Sequence, residues 1–478
     1  MPSGRYGVYG SYFIDKLNNL ESGGILYDSV FTENTLSKRL EVPVHLNYAV
    51  NRTHNSGIVI QHYFNLQKKL KKITDSTTVV NNTRRFDAGR FIHTFRYRKE
   101  TSGYEDDSPA DGVTAGIYPV TYGDTLITLD TTYQIHLENN LVYSNLEPDT
   151  ASNVFPLQYS FGISQHFDKL GNYKLTSLAG SLSPISAFNS SEVVATHAVT
   201  SQYSQLIPFG TLRGIIAGKT FFTANGRISL GGYNNGDYEL SGSFYQYFGP
   251  KGKTGRLFLI ATKGLSHPDY FFSTYYSNHF RWDNSLKAQD YITGTGGIEL
   301  LGYHLSMTFT RISNFTYLNS RMKPEQANGG LAITRADASK IFRPGKWIID
   351  TRFIFQKVSR DSILQLPMLA AKASLSYNLL LFNKVLHTQI GMSVQYNSAY
   401  YADAYNPELR MFYRQDAYKT GNYPFADIFI NMRVKRARIF IKYQHLNAGL
   451  LGYRYEMVPF YPESDAALKV GVSWVFYD

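Results

Sequence analysis

One pattern runs through this chain from end to end: apolar and polar residues alternate with a period of two. That period belongs to a β-strand with one dry face and one wet face, because successive side chains point to opposite sides of the pleat. From Val44 to Asn51, Val44, Leu46, Tyr48 and Val50 oppose His45, Asn47, Ala49 and Asn51. From Tyr303 to Thr310, Tyr303, Leu305, Met307 and Phe309 oppose His304, Ser306, Thr308 and Thr310. Leu386, Ile390, Met392, Val394 and Tyr396 share a face, against His387, Gln389, Gly391, Ser393, Gln395 and Asn397. Near the end a hairpin reads clearly. Ile428, Ile430, Met432 and Val434 alternate with Phe429, Asn431 and Arg433, then Ile439, Ile441 and Tyr443 with Arg438, Phe440 and Lys442, about a turn at Lys435–Arg436. The last strand sets Leu468, Val470, Val472, Trp474 and Phe476 against Lys469, Gly471, Ser473 and Val475.

The spacing predicts an all-β fold of about twenty strands, within a range of sixteen to twenty-four. Short connections are expected at Asn234–Gly236, His267–Asp269, Arg343–Gly345, Phe382–Asn383 and Lys435–Arg436, and long ones near 316–330, 398–422 and 447–465. Short turns at one end and long loops at the other describe a transmembrane antiparallel up-and-down β-barrel, with short periplasmic turns and long extracellular loops. The segment 99–130 breaks the rhythm and, with Glu105, Asp106, Asp107 and Asp111, reads as a long acidic loop. Nothing marks a second domain, so residues 1–478 read as a single barrel.

Alternation alone also fits a soluble sandwich with its apolar rows inward. Two features favour a membrane. Strand candidates commonly run about 10–13 residues, roughly twice the usual length. The polar rows are also often basic: Arg90, Arg96, Arg98, Arg352, Lys372, Arg433, Arg438, Lys442 and Lys469. On lipid, each Arg or Lys would cost about 2–4 kcal/mol at the midplane. These nine residues are therefore expected to line a wet lumen, with the aliphatic and aromatic rows facing hydrocarbon. Trp347, Trp474 and Phe476 fall near strand ends on the apolar side and read as an interface girdle. No stretch approaches the ~18 consecutive apolar residues of a membrane helix, which excludes a helical membrane protein. The net charge of +11 is spread singly along strands rather than clustered, which disfavours nucleic acid as a partner.

Motifs for chemistry are missing. There is no cysteine, hence no disulfide framework or thiol nucleophile. No G-x-S-x-G elbow, P-loop, G-x-G-x-x-G or H-E-x-x-H occurs. Gly162–Ile163–Ser164, Gly391–Met392–Ser393 and Gly471–Val472–Ser473 lack the second glycine and lie mid-strand. The expectation is no enzyme, no cofactor and no metal centre. The twelve histidines are dispersed, and His45, His304 and His387 read as ordinary lumen residues. The acidic group at 105–111 reads as a solvated loop, with a hard-cation site as the sharper alternative. A basic lumen would enrich anions; the competing reading is that acids such as Asp350, Asp427 and Glu138 pair with these charges.

The segments KWIIDTRFIFQKVS (346–359), ILQLPMLAAKASLSY (363–377), LHTQIGMSVQYNSAYYADAYNPELRMFYRQ (386–415), YPFADIFINMRVKRARIFIKYQHLNAG (423–449) and FYPESDAALKVGVSWVFYD (460–478) resemble the putative porin family of Bacteroidota outer membranes. Residues 4–25 and 41–64 are similar to it too. The resemblance implies a barrel in the bacterial outer membrane, in contact with lipid and lipopolysaccharide, that passes small hydrophilic solutes passively. A non-conducting barrel, serving as partner or scaffold in a secretion or nutrient-uptake assembly, is the alternative. Barrel-insertion machinery would read the aromatic final strand. Family members carry a signal peptide and further strand-forming sequence before the segment matched at Gly4, so this chain is expected to lack its first strands. A barrel this wide is expected to need inward-folded loops, for which 14–38, 99–130, 398–422 and 447–465 are the candidates.

Overall fold

The computed structural model describes residues 6–33, 41–66, 89–122, 126–145, 157–177, 193–250 and 254–475. The alternating rows form one 18-stranded sheet. Each strand is hydrogen-bonded, antiparallel, to the next in sequence, from Tyr6–Glu21 to Ala467–Trp474. This is an up-and-down meander with the architecture of an outer-membrane barrel. Among the described residues no ladder joins Tyr6–Glu21 to Ala467–Trp474, so the sheet keeps two free edges. No described helix is long and apolar enough to cross a membrane.

The strands are of two kinds. From Thr220–Ile228 (9 residues) to Leu369–Leu381 (13 residues) they match a single tilted crossing of about 9–11 residues. Those before Ile216 run longer, up to 24 residues in Val193–Ile216. At about 3.3 Å per residue such a strand far exceeds a hydrocarbon core of about 30 Å.

Connection length segregates by end. On one rim lie 217–219, 249–254, 301–302, 343–346, 382–385 and 435–436. On the other lie 22–48, 107–127, 267–288, 314–329, 398–424 and 445–466. The connections 66–89 and 145–156 are the long exceptions on the short-turn rim.

Several sequence expectations need correction. His267–Asp269 is not a short turn; it opens the long connection 267–288 and leads into a helix at Tyr270–Ser273. Asn234–Gly236 lies within 229–237, on the long-loop rim. The tight turn at Leu301–Gly302 carries no sequence signature, because Leu-Gly is not a favoured turn pair. Both residues have positive φ (52° and 79°), as a type I′ hairpin requires. Val44–Asn51 is a strand only from Ala49 onward, and Leu46 is instead buried beneath loops. The loop expected over 14–38 begins after Glu21, and that over 99–130 is confined to 107–127. Phe476 lies outside the described residues.

Candidate functional site

Directly opposed residues of an antiparallel ladder point to the same side of the sheet. Register can therefore be followed strand by strand. Arg96 opposes Glu138, which opposes His166, which opposes Gln205. Arg352 opposes Lys372, which opposes Gln395. Arg433 opposes Arg438, which opposes Ser473, and Lys442 opposes Lys469. Carried across the whole sheet, this register puts Arg90, Arg96, Arg98, Arg352, Lys372, Arg433, Arg438, Lys442 and Lys469 on one face.

Loop contacts identify that face as the inner one. The Arg410 guanidinium reaches Thr53 Oγ1 at 3.4 Å and Thr132 Oγ1 at 3.3 Å. Asn51 Nδ2 donates to the Pro407 carbonyl at 2.8 Å. The Asn278 backbone N–H donates to the Asp130 carboxylate at 3.0 Å. Ser201 and the Tyr270 hydroxyl meet at 2.8 Å. Each wall residue in these contacts shares the face of Arg96. The opposite face carries exposed apolar side chains, among them Met307 (59 % exposed), Phe353, Phe355, Met392 and Val472 (66 %). Trp347 stacks edge-on against Tyr377 (4.8 Å between centroids) on that outer face, near the short-turn rim, and Trp474 lies exposed on the same side at the same rim. Lys340 bends its ammonium over the Tyr303 ring (3.5 Å) at this level, the position of a snorkelling cation beside an aromatic belt.

The inner wall is mixed in charge rather than simply basic. Arg96 pairs with Glu138, and Arg98 with Glu100. Arg256 forks onto both Glu299 oxygens at 2.8 and 2.7 Å. Asp337 accepts from Arg335 (2.6 Å) and Arg352 (2.9 Å), and Lys442 pairs with Asp427 at 2.8 Å. Arg90 donates to Asn65 at 2.6 Å. Among the described residues, Lys372, Arg433, Arg438 and Lys469 have no acid within ion-pair reach. Of the expected wall cations that lack an acid among the described residues, these four lie on the last five strands of the sheet, and Arg90 lies on the third. Arg352, Lys372 and Lys442 line one cavity of about 410 Å³. Arg433 and Arg438 line a hollow of about 850 Å³ with His387 and Gln389, toward the short-turn rim. The other four expected wall residues join neither. His304 and His387 are on the wall, whereas His45 sits in a loop against Phe460.

At the long-loop end the lumen holds a plug that sequence reasoning located only roughly. Loops 107–127, 267–288, 314–329 and 398–424 bury Tyr118, Tyr275, Phe280, Trp282, Leu318, Met322 and Leu409 together, against Tyr104 of the wall. Tyr118 stacks flat on His279 (4.0 Å, 7°) and donates to Asp106 Oδ2 at 2.6 Å. The expected solvated acidic loop is thus partly buried: Asp106 lies beneath Tyr118, and Glu105, a buried strand-end residue on the other face, pairs with Arg52. Glu408, fully buried, accepts from Ser277 Oγ. Burial, then the nearby Asp130 charge, holds its carboxyl well above the usual range. A second cluster joins Ile25, Phe31, Tyr423 and Tyr455 from loops 22–48, 398–424 and 445–466. Beside it, burial pushes Glu456 up to about 7, with the Asp28 charge raising it further and the nearby Tyr418 hydroxyl opposing the rise.

This geometry, an apolar outside, a polar inside and loops folded into one mouth, agrees with comparison to known proteins. A family model described as putative porin matches residues 1–478. The chain belongs to the putative porin family. No curated protein matches the chain in sequence. Among solved structures, this porin-family chain is similar to the siderophore receptor PirA from Acinetobacter baumannii, at 9 % identity and TM-score 0.62, over 99 % of this chain and 69 % of that one. It is similar to the ferric-catecholate import receptor Fiu from K12 E. coli, at 12 % identity and TM-score 0.58, over 92 % and 68 %. It is also similar to the ferric enterobactin receptor PfeA from Pseudomonas aeruginosa, at 11 % identity and TM-score 0.59, over 93 % and 62 %. At such identities the likeness is one of fold. The porin-family chain spans about two thirds of the length of these receptors. Its place is the bacterial outer membrane, with the outer face against lipid.

Proposed function

We propose that this porin-family barrel passes small hydrophilic solutes by passive diffusion, with the loop plug narrowing the path. The observation that carries this reading is the continuous polar inner face, on which charged side chains of both signs border water along the height of the wall. Short turns lie on the periplasmic side and the plugged mouth faces outward. The uncompensated Lys372, Arg433, Arg438 and Lys469 raise local anion concentration along the last strands. The reading is of a pore rather than an enzyme.

The plug favours a second reading. Its interior buries Tyr118, Phe280 and Trp282 together. A barrel sealed in this way would serve as a partner or scaffold in a nutrient-uptake assembly; the similar structures named above are described as siderophore and ferric-catecholate import receptors. Purified protein in planar bilayers separates the two. Stepwise ohmic conductance supports diffusion; a silent membrane with correctly inserted protein refutes it in favour of the sealed barrel.

A further inference from the structure

We propose that His136, His166 and Asp168, with Glu138 beside them, form a binding site for a divalent transition-metal ion of zinc-like preference on the inner wall. The register makes the cluster: His136 opposes Asp168, and Glu138 opposes His166, so four potential ligands form a two-by-two patch on one face. One donor atom from each of His136, His166 and Asp168 lies within 4.8 Å of the other two. His136 Nδ1 is 2.7 Å from Asp168 Oδ1, and His136 Nε2 is 3.8 Å from Glu138 Oε2. The two imidazoles meet edge-on, 5.0 Å between centroids. A tetrahedral zinc ion with bonds of about 2.0–2.1 Å holds its donors roughly 3.3 Å apart. The donors of His136, His166 and Asp168, 2.7 Å apart at the His136–Asp168 pair and all within 4.8 Å of one another, bracket that value, so side-chain rotation brings these three into place.

The surroundings suit a metal better than a plain hydrogen-bonded pair. Ser164 Oγ meets His166 Nε2 at 2.8 Å, Gln205 Nε2 lies 3.5 Å from His166 Nδ1, and Arg96 grips Glu138. Such outer partners orient metal-ligating imidazoles and carboxylates. The patch opens on a cavity of about 500 Å³, bounded opposite by Asp237, His267, Asp269 and Tyr233. An ion in the lumen therefore reaches it, along a lining that also carries Arg227 and the His267–Asp237 pair. Two imidazoles with carboxylates select zinc-like ions over calcium or magnesium, which prefer oxygen alone. The site does not depend on whether the barrel conducts.

The test is titration calorimetry of the folded protein in detergent with zinc chloride alone, repeated with magnesium chloride, and cobalt substitution read by its visible absorption. We expect one zinc per chain, no magnesium heat, and tetrahedral cobalt bands. H166Q and D168N should each weaken zinc about 10–100-fold, with strand content by circular dichroism unchanged. H54Q, an exposed histidine of the outer face, should leave binding as it was. Failure to bind zinc overturns the proposal. So does binding that survives in an H136Q/H166Q double variant, or that falls equally in H54Q.

Discussion

Tyr118 is the side chain on which the plug turns, and Y118A gives the sharpest perturbation. The ring is 1 % exposed, stacked on His279 and surrounded by the apolar cluster. Truncating a buried aromatic to alanine costs about 3–5 kcal/mol. The hydroxyl also donates to Asp106, itself 1 % exposed, and orphaning a buried acceptor costs roughly 1–3 kcal/mol more. Taking the lower ends, docking of loop 107–127 weakens on the order of 4 kcal/mol, which multiplies its undocked population roughly a thousand-fold. The wall does not depend on this contact, because its ladders run strand to strand. The barrel should therefore still insert while its mouth loosens. Single-channel recording should show Y118A with larger or noisier conductance than the parent, and hydrogen exchange should show faster exchange in 107–127 with the strands unchanged. Released loop amides with an unchanged conductance would refute the claim that this cluster narrows the path. Unchanged exchange would refute the energetic argument itself.

Three further outcomes are expected. R433E/R438E reverses two charges that have no acidic partner among the described residues, so the anion-to-cation permeability ratio from reversal potentials in a salt gradient should fall; an unchanged ratio means they do not border the path. Glu456, raised to about 7 in the folded protein, adds stability that is complete below its ordinary value near 4.5 and disappears as pH rises through about 7. Loop 445–466 should accordingly exchange amide hydrogens faster at about pH 8 than at about pH 6, after correction for intrinsic rates, and E456Q should remove that difference. M307R places a cation on the outer face and should lower stability in urea-driven vesicle refolding by about 2–4 kcal/mol. S306R, one residue away but facing Asp337 across the inner wall, should stay within about 0.5 kcal/mol; equal losses in both would refute the assignment of faces.

That last pair shows why so much of the wall could be read from sequence. A strand's two faces are fixed by parity alone, so once Arg433 and Ile428 fell on opposite rows, the energetics of lipid decided which row was wet. Parity is a local property and needs no knowledge of neighbours. The plug has no such code. Tyr118, Phe280, Met322 and Leu409 come from four loops, and nothing periodic in 107–127 or 398–424 announces that they meet; only their long-range packing does. The same limit hid the metal-ligand patch. His136 and His166 are only two of twelve dispersed histidines in the sequence, because their proximity depends on the offset between Thr128–Ser144 and Leu157–Ser177 across the connection 145–156. Shifting that register by two residues would keep every side chain on its correct face, leave the amphipathic pattern untouched, and take His136 away from Asp168. Hydropathy thus specifies the partition of the barrel but not the pairing within a face. Any chemistry on the inner wall rests on contacts such as Arg96–Glu138 and Arg256–Glu299, which distinguish one register from the next.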